Sequence, residues 1–212
     1  MDRSEFSEGI LFVISGPSGV GKTSIIRSVL ERVDKVTFSI SCTTRKQRPG
    51  EVHGVDYFFI THEEFKKMIE ENKFIEWAQV HDNLYGTPAD FVNEHIKKGQ
   101  DVILDIDVQG ALTVKKNWKG AKFIFVAPPS YQILSERLRK RGTETEEKIR
   151  RRLETAKKEL TYIPEFEYLI INEDLEESIR NLISIIYAER VKYERQKELG
   201  KVKKLLEEVQ EF

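Results

Sequence analysis

The run Gly16-Pro17-Ser18-Gly19-Val20-Gly21-Lys22-Thr23 matches G-x-x-x-x-G-K-[ST]. Glycines let backbone N–H groups close around phosphate oxygens, and a helix opening at Lys22 adds the positive charge of its N-terminus. Lys22 would reach the β- and γ-phosphates of a nucleoside triphosphate, and Thr23 Oγ would sit on Mg²⁺. A plain glycine-rich turn is the ordinary alternative, but the motif lies in the setting it needs, between an apolar run and a helical pattern. A second run, DIDVQG (105–110), ends an apolar stretch with two acids. Asp105 and Asp107 are expected on one strand face, where an acid could orient Mg²⁺ or the reacting phosphates; capping of the next helix is the plainer role. In SCTTRKQRPGEVHGVDYFF (41–59), Arg45 and Arg48 lie three apart, before a Pro-Gly turn. Two guanidinium forks converging on a dianion can hold a phosphate monoester. Tyr57, and Tyr85 in NLYGT, could add hydroxyl donors.

These residues need a scaffold. GILFVIS (9–15), DVILDID (101–107), KFIFVA (122–127) and EYLIIN (167–172) are short continuous apolar runs, as in strands buried on both faces. A helix is expected from Lys22 to about Arg32, with Ile25, Ile26 and Val29 on one face. VTFSI (36–40), YFFI (57–60) and FIEWAQV (74–80) read as strands. They are expected to form an insertion after the first strand–helix unit. Thr61 and Glu64 make a capping box for a helix to about Glu71, and Thr87-Pro88 is expected to open one ending at Gly99. A helix near Val108 separates two core strands. Ser130 is expected to cap a helix to about Arg139, and Thr143 with Glu146 another to about Leu160. A long helix from about Leu175 carries Ile179, Leu182, Ile183 and Ile186 on one face. Strand–helix repetition predicts an α/β fold with a parallel sheet covered on both sides. The tail has Val202, Leu205, Leu206, Val209 and Phe212 at helical spacing, expected to pack on the chain's own core.

Composition narrows the functions. The net charge is −1, from 35 basic and 36 acidic residues, which argues against a general nucleic-acid or anionic-membrane binder. The single cysteine, Cys42, excludes an internal disulfide and suits a reducing cytoplasm. The polar start MDRSEFSEG lacks the pattern of a signal peptide, and no apolar run approaches a membrane span. His53, His62, His81 and His95 are scattered without metal-ligand spacing.

The pieces GPSGVGKT, SCTTRKQRPGEVHGVDYFF, FIEWAQV, YGT, LDIDVQGA, APPS, RLRKRGTETEE and IINEDL, in that order over about 9–195, resemble the guanylate kinases. The segment after Gly200 carries no matching motif. The resemblance implies a P-loop nucleoside monophosphate kinase fold: a parallel sheet flanked by helices, a mixed α+β acceptor segment (36–92) and a helical lid (131–161). The core would comprise 1–35, 93–130 and 162–212. The implied reaction moves the γ-phosphoryl of ATP to GMP or dGMP with Mg²⁺, for guanine nucleotide synthesis and recycling in the cytoplasm. The implied partners are ATP and GMP, with neither nucleic acid nor membrane, in a monomer or homo-oligomer. By resemblance, Gly16 to Thr23, Arg137, Arg141 and Asn172 bind ATP, with Asn172 near the adenine. Arg45, Arg48, Tyr57 and Tyr85 hold the GMP phosphate. Ser41, Glu76 and Thr87 read the guanine, and Asp107 contacts the acceptor nucleotide. Lys22, Arg45, Arg137, Arg141 and Arg152 form the implied catalytic set.

Chemistry supports the acceptor. Guanine offers N1–H and N2–H₂ donors beside the O6 acceptor, which a carboxylate and a hydroxyl complement. A regulatory GTPase would accommodate DVQG, but no [NT]-K-x-D motif follows and the Arg–Tyr insert has no role there. A catalytically silent guanylate-kinase-like binding module is opposed by intact Lys22 and Thr23. Kinases of other nucleoside monophosphates or sugar phosphates are nearer competitors, and Glu76 with two hydroxyls favours GMP.

Overall fold

The computed structural model describes residues 8–80, 82–140 and 145–210. The chain begins β1 (Leu11–Ser15), α1 (Lys22–Arg32), β2 (Val36–Phe38), β3 (Cys42–Thr43), β4 (Phe58–Phe59) and α2 (His62–Glu70). It continues through β5 (Phe74–Val80), β6 (Asn83–Pro88), α3 (Ala89–Lys97), β7 (Asp101–Asp105), α4 (Val108–Asn117) and β8 (Lys122–Ala127). The last elements are α5 (Tyr131–Lys140), α6 (Glu146–Leu160), β9 (Tyr168–Ile171), α7 (Leu175–Val191), α8 (Tyr193–Glu198) and α9 (Lys201–Gln210).

Alternation along β1 explains the layering. Phe12 and Ile14 join Ile25, Ile26 and Val29 of α1 and Ile179, Leu182 and Ile186 of α7. Leu11 and Val13 join Val92 of α3, Val102 and Leu104 of β7 and Ala111 and Val114 of α4 on the other face. Each fully buried Phe, Ile, Leu or Val contributes roughly 1.5–3 kcal/mol. A strand apolar on both faces can only lie inside such a sandwich, so the sheet is parallel, in the order β2-β7-β1-β8-β9. Its register sets Ile14 beside Asp105 and Ser15 beside Phe125, which gathers the carboxyl ends of the strands where ligands of open α/β sheets bind. Asp101, 3% exposed, ties the far end together: it accepts from Ile10 N at 2.7 Å and from Arg190 Nε of α7 at 2.7 Å.

The second sheet, β4-β3-β6-β5, is mixed. Several expectations change here. Val36–Phe38, grouped by sequence with the insertion, is the edge strand of the parallel sheet, paired with Asp101–Ile103. Helix α3 packs on the core through Val92. The strands of the second sheet thus all fall between Cys42 and Pro88. Asn83–Pro88, of which the sequence assigns only Thr87-Pro88, as a helix start, is a strand paired with both β5 and β3. Tertiary pairing supplies what its polar sequence lacks, and Thr87 does not cap α3: Pro88 occupies the N-cap without a side-chain bond. The capping box of α2 forms as expected, with Thr61 N donating to Glu64 Oε2 and Glu64 N to Thr61 Oγ1.

Helices α5 and α6 pack on one another through Leu134, Leu138, Ile149, Leu153 and Ala156. The expected cap Thr143 lies outside the described residues; Thr145 occupies the N-cap of α6 and accepts from Lys148 N. The tail differs from expectation. Helix α9 has no buried residue, and Leu205, Leu206 and Val209 are exposed rather than packed on the core; Phe212 lies outside the described residues.

Candidate active site

The phosphate loop joins β1 to α1. Gly21 occupies the N-cap at φ 102°, a left-handed conformation open to glycine, and a Cβ there would lie 2.4 Å from Asn172 Nδ2. Lys22 Nζ donates to the Gly16 carbonyl at 2.6 Å and stands 3.6 Å from Asp105 Oδ1. Burial pushes the Asp105 carboxyl above its usual range, and the Lys22 charge opposes that rise. Asp107 has a different task. The strand stops at Asp105, and Asp107 caps α4 by accepting from Gln109 N at 2.8 Å and Gly110 N at 3.0 Å. The helix's unpaired N–H groups thus claim this carboxylate, so the expectation that the two acids share one strand face does not hold.

Asn172, 5% exposed, is engaged within the protein. Its Nδ2 donates to the Val20 carbonyl at 2.6 Å, and its Oδ1 accepts from Ser178 Oγ at 3.0 Å. Arg137 Nη2 donates to the Asn172 carbonyl at 2.9 Å. These bonds fasten the phosphate loop to the residues after β9. Val20, Gly21, Ser24, Arg137, Asn172 and Leu175 line a cleft beside it.

The insertion supplies a buried acid. Glu76 on β5 stands opposite Thr87 on β6, and Thr87 Oγ1 donates to Glu76 Oε1 at 2.6 Å. Burial pushes the Glu76 carboxyl up to about 7; the Asp107 charge adds to the rise and the Thr87 bond opposes it. Gly110 of α4 lies directly against Glu76, since a Cβ there would meet Oε2 at 2.8 Å. Nearby, Arg45 lies over the rings of Tyr57 and Phe59, and Tyr57 meets Tyr85 edge-on with centroids 6.0 Å apart. Burial, with the Asp105 charge adding, pushes the Tyr57 hydroxyl up to about 12. Ser41 leads into β3 and its carbonyl accepts from Phe58 N.

The α5–α6 pair reaches the same place. Arg152 Nη2 donates to Ser18 Oγ of the phosphate loop at 2.5 Å. Glu159 of α6 has its carboxyl raised by burial, with the Lys22 charge opposing and the Asp107 charge adding. Arg141 lies outside the described residues. Three separate chain segments therefore meet around Lys22, Asp105 and Asp107.

A phosphate loop at the mouth of a parallel sheet, faced by an Arg–Tyr cluster and a buried Glu–Thr pair, agrees with the family comparison. The guanylate kinase family model matches residues 9–189. The chain belongs to the guanylate kinase family. It is 57% identical over 188 residues to the guanylate kinase of Thermotoga maritima, covering 89% of this chain and 91% of that protein. It is 47% identical over 192 residues to the guanylate kinase of Caldanaerobacter subterraneus subsp. tengcongensis, covering 91% and 93%. The crystal structure of guanylate kinase from Anaplasma phagocytophilum superposes with a TM-score of 0.77 at 32% identity, over 92% of this chain and 95% of that one.

Two acids of this guanylate kinase fold escaped the sequence reading. Glu51 pairs with Arg45, and its position just after the Pro-Gly turn was the available signal. Glu159 sits in the basic stretch AKKEL, where a solvated helix face is the natural inference, and only packing turns it toward Lys22.

Proposed function

We propose that the chain transfers the γ-phosphoryl group of ATP to GMP, giving ADP and GDP. The observation that carries this reading is the buried Glu76–Thr87 pair, set into the acceptor sheet beside the phosphate loop. Glu76 accepts from guanine N1–H and N2–H₂, and the hydroxyls of Ser41 and Thr87 complete the base contacts. Arg45, Arg48, Tyr57 and Tyr85 hold the GMP phosphate. Its dianionic oxygen is itself the nucleophile, so no base need remove a proton. A bond forms from that oxygen to the γ-phosphorus as the bond from the γ-phosphorus to the β–γ bridging oxygen breaks.

What remains for the protein is placement and neutralisation of charge. Lys22 leaves the Gly16 carbonyl for the β- and γ-phosphates. Arg137 and Arg152, together with Arg141, meet the transferring group from the lid, the role proposed for 131–161. Among the described residues no three His, Cys, Asp or Glu side chains group to hold a metal. The hydroxyl of Thr23, at the second position of α1, and the Asp105 carboxylate fit a hard cation that arrives with ATP and keeps most of its waters. Mg²⁺ bound there would neutralise phosphate charge. Among the described residues no helix is long and apolar enough to cross a membrane. We place the enzyme in the cytoplasm, with ATP and GMP as its partners.

A coupled ADP-release assay with AMP, GMP, CMP and UMP tests the reading. A site built on hydrogen bonds to a substrate rejects analogues by roughly 10⁴–10⁵, so GMP should stand far above the other three. Equal turnover of AMP would refute it.

A further inference from the structure

The turn from Arg45 to Glu51 holds an ion pair that the steps above leave without a role. Arg45 Nη2 donates to Glu51 Oε1 at 2.8 Å, and Arg45 Nη1 donates to Glu51 Oε2 at 3.0 Å. The pairing is bidentate and largely covered, with the side chains 12% and 20% exposed. Glu51 Oε2 also accepts from the Arg48 backbone N–H at 2.8 Å, and Glu51 N–H donates back to the Arg48 carbonyl at 3.1 Å. The second hydrogen on Nη1 goes to the Lys46 carbonyl at 2.8 Å. One carboxylate thus fixes both the guanidinium of Arg45 and the backbone that carries Arg48.

We propose that Glu51 is a positioning residue for the phosphoryl acceptor, holding the Arg45 fork and the Arg48 turn in the geometry that receives the GMP phosphate. This rests on the reading of Arg45 as a phosphate-holding residue. Glu51 and Lys46 use the Nη1–Nη2 edge and the outer hydrogen of Nη1. Neither uses the second edge, Nε–H with the other Nη2–H, which can serve two oxygens of a phosphate; the Tyr85 side chain, which also hydrogen-bonds Arg45, belongs to the same phosphate-holding set. The rings of Tyr57 and Phe59, 5.4 and 5.6 Å from the guanidinium carbon, hold its plane. Arg45's hydrogen bonds, helped by the Arg48 N–H, keep the Glu51 carboxyl below the usual range, so it stays ionised near neutrality.

A different role would give Glu51 the opposite effect. A carboxylate merely standing in the phosphate's place would compete with GMP, and removing its charge would tighten binding. Anchorage by the Arg48 N–H favours the positioning role, because this carboxylate is built into the turn. Glu51→Gln keeps the size but has one oxygen where three N–H groups now share two.

The test uses the full chain as wild type, Glu51→Gln, Arg45→Ala and the double variant. It measures KM for GMP and ATP, kcat, thermal melts, and the affinities of GMP and guanosine. Glu51→Gln should raise the GMP KM about tenfold, as expected for partners in one hydrogen-bonded network, with the ATP KM unchanged. Guanosine, lacking the phosphate, should bind both proteins equally, and Glu51→Gln should add clearly less than tenfold once Arg45 is Ala, because only its hold on the Arg48 turn then remains. A lower or unchanged GMP KM in Glu51→Gln overturns the proposal, as does equal weakening of GMP and guanosine, which would signal a damaged fold. If Arg45→Ala weakens GMP and Glu51→Gln does not, only the positioning role falls. If Arg45→Ala leaves GMP use intact, the phosphate reading of Arg45 falls with it. Glu51→Asp, which keeps the charge with a shorter reach, should fall between wild type and Glu51→Gln; a GMP KM above that of Glu51→Gln would also overturn the proposal.

Discussion

Replacing Glu76 with Gln should make the free protein more stable and a worse enzyme. The carboxyl is 5% exposed and held at about 7, against an ordinary 4.5. The folded state therefore binds a proton more tightly than the unfolded chain does. The sign follows: stability associated with this group is full below the unfolded value and is lost as pH rises through about 7. Above neutrality the buried charge costs about 3 kcal/mol. Gln is neutral, nearly the same size, and can still accept from Thr87 Oγ1. Its melting temperature at pH 8 should exceed that of the wild type by several degrees, at roughly 2–4 °C per kcal/mol for a chain of this size. The gap should shrink toward pH 5, where the wild-type carboxyl is protonated. Activity should move the other way. Guanine's N1–H and N2–H₂ would face an amide with one acceptor oxygen and a repelling N–H₂, a loss of about 2–3 kcal/mol, or roughly 30–150-fold in kcat/KM for GMP. Kinetics with GMP and AMP at saturating ATP, and melts at pH 5 and 8, check both halves. Unaltered GMP kinetics would show that guanine is read elsewhere, and equal melts at pH 8 would refute the buried-charge argument.

Three further outcomes follow from the same geometry. Lys22→Ala should lower kcat roughly 10²–10³-fold with little change in melting, because its charge acts on the transferring phosphates; near-normal turnover in a folded variant would refute the donor-site reading. Gly110→Ala should force Glu76 aside and raise the GMP KM while sparing the ATP KM, at a stability cost of about 1–3 kcal/mol; unchanged GMP kinetics would show that the contact relaxes freely. Asn172→Ala should cost about 1–3 kcal/mol and raise the ATP KM by loosening the phosphate loop; a normal melt with a normal ATP KM would show that the Val20 and Ser178 bonds carry no weight.

Much of the fold was legible because its signals are local. The runs 9–15, 101–107 and 122–127 are apolar on successive residues, and only a strand covered on both faces buries such a run; 167–172 departs from that expectation, since β9 is an edge strand with Leu169 and Ile171 exposed. The phosphate loop was equally plain, since glycine spacing, Lys22 and Thr23 act within one turn. The insertion was harder to read. Cys42–Thr43 and Asn83–Pro88 lack strand character of their own, and they become strands by pairing with each other and with β4 and β5. Val36–Phe38 resembles the insertion strands in texture, and only its partner, β7, assigns it to the core.

Residue types and their spacing determined which chemical groups this protein possesses: a glycine-rich loop with its lysine, paired arginines, and a glutamate with nearby hydroxyls. Tertiary structure decided how those groups are tuned. The Glu76 carboxyl is pushed up to about 7 only because β5, β6 and α4 close over it. Asp107 is a helix cap because the chain turns immediately after Asp105. Asn172 ties down the phosphate loop because β9 ends beside Val20, 152 residues away in sequence. Desolvation and long-range hydrogen bonds depend on which surfaces are brought together, and no local pattern encodes that.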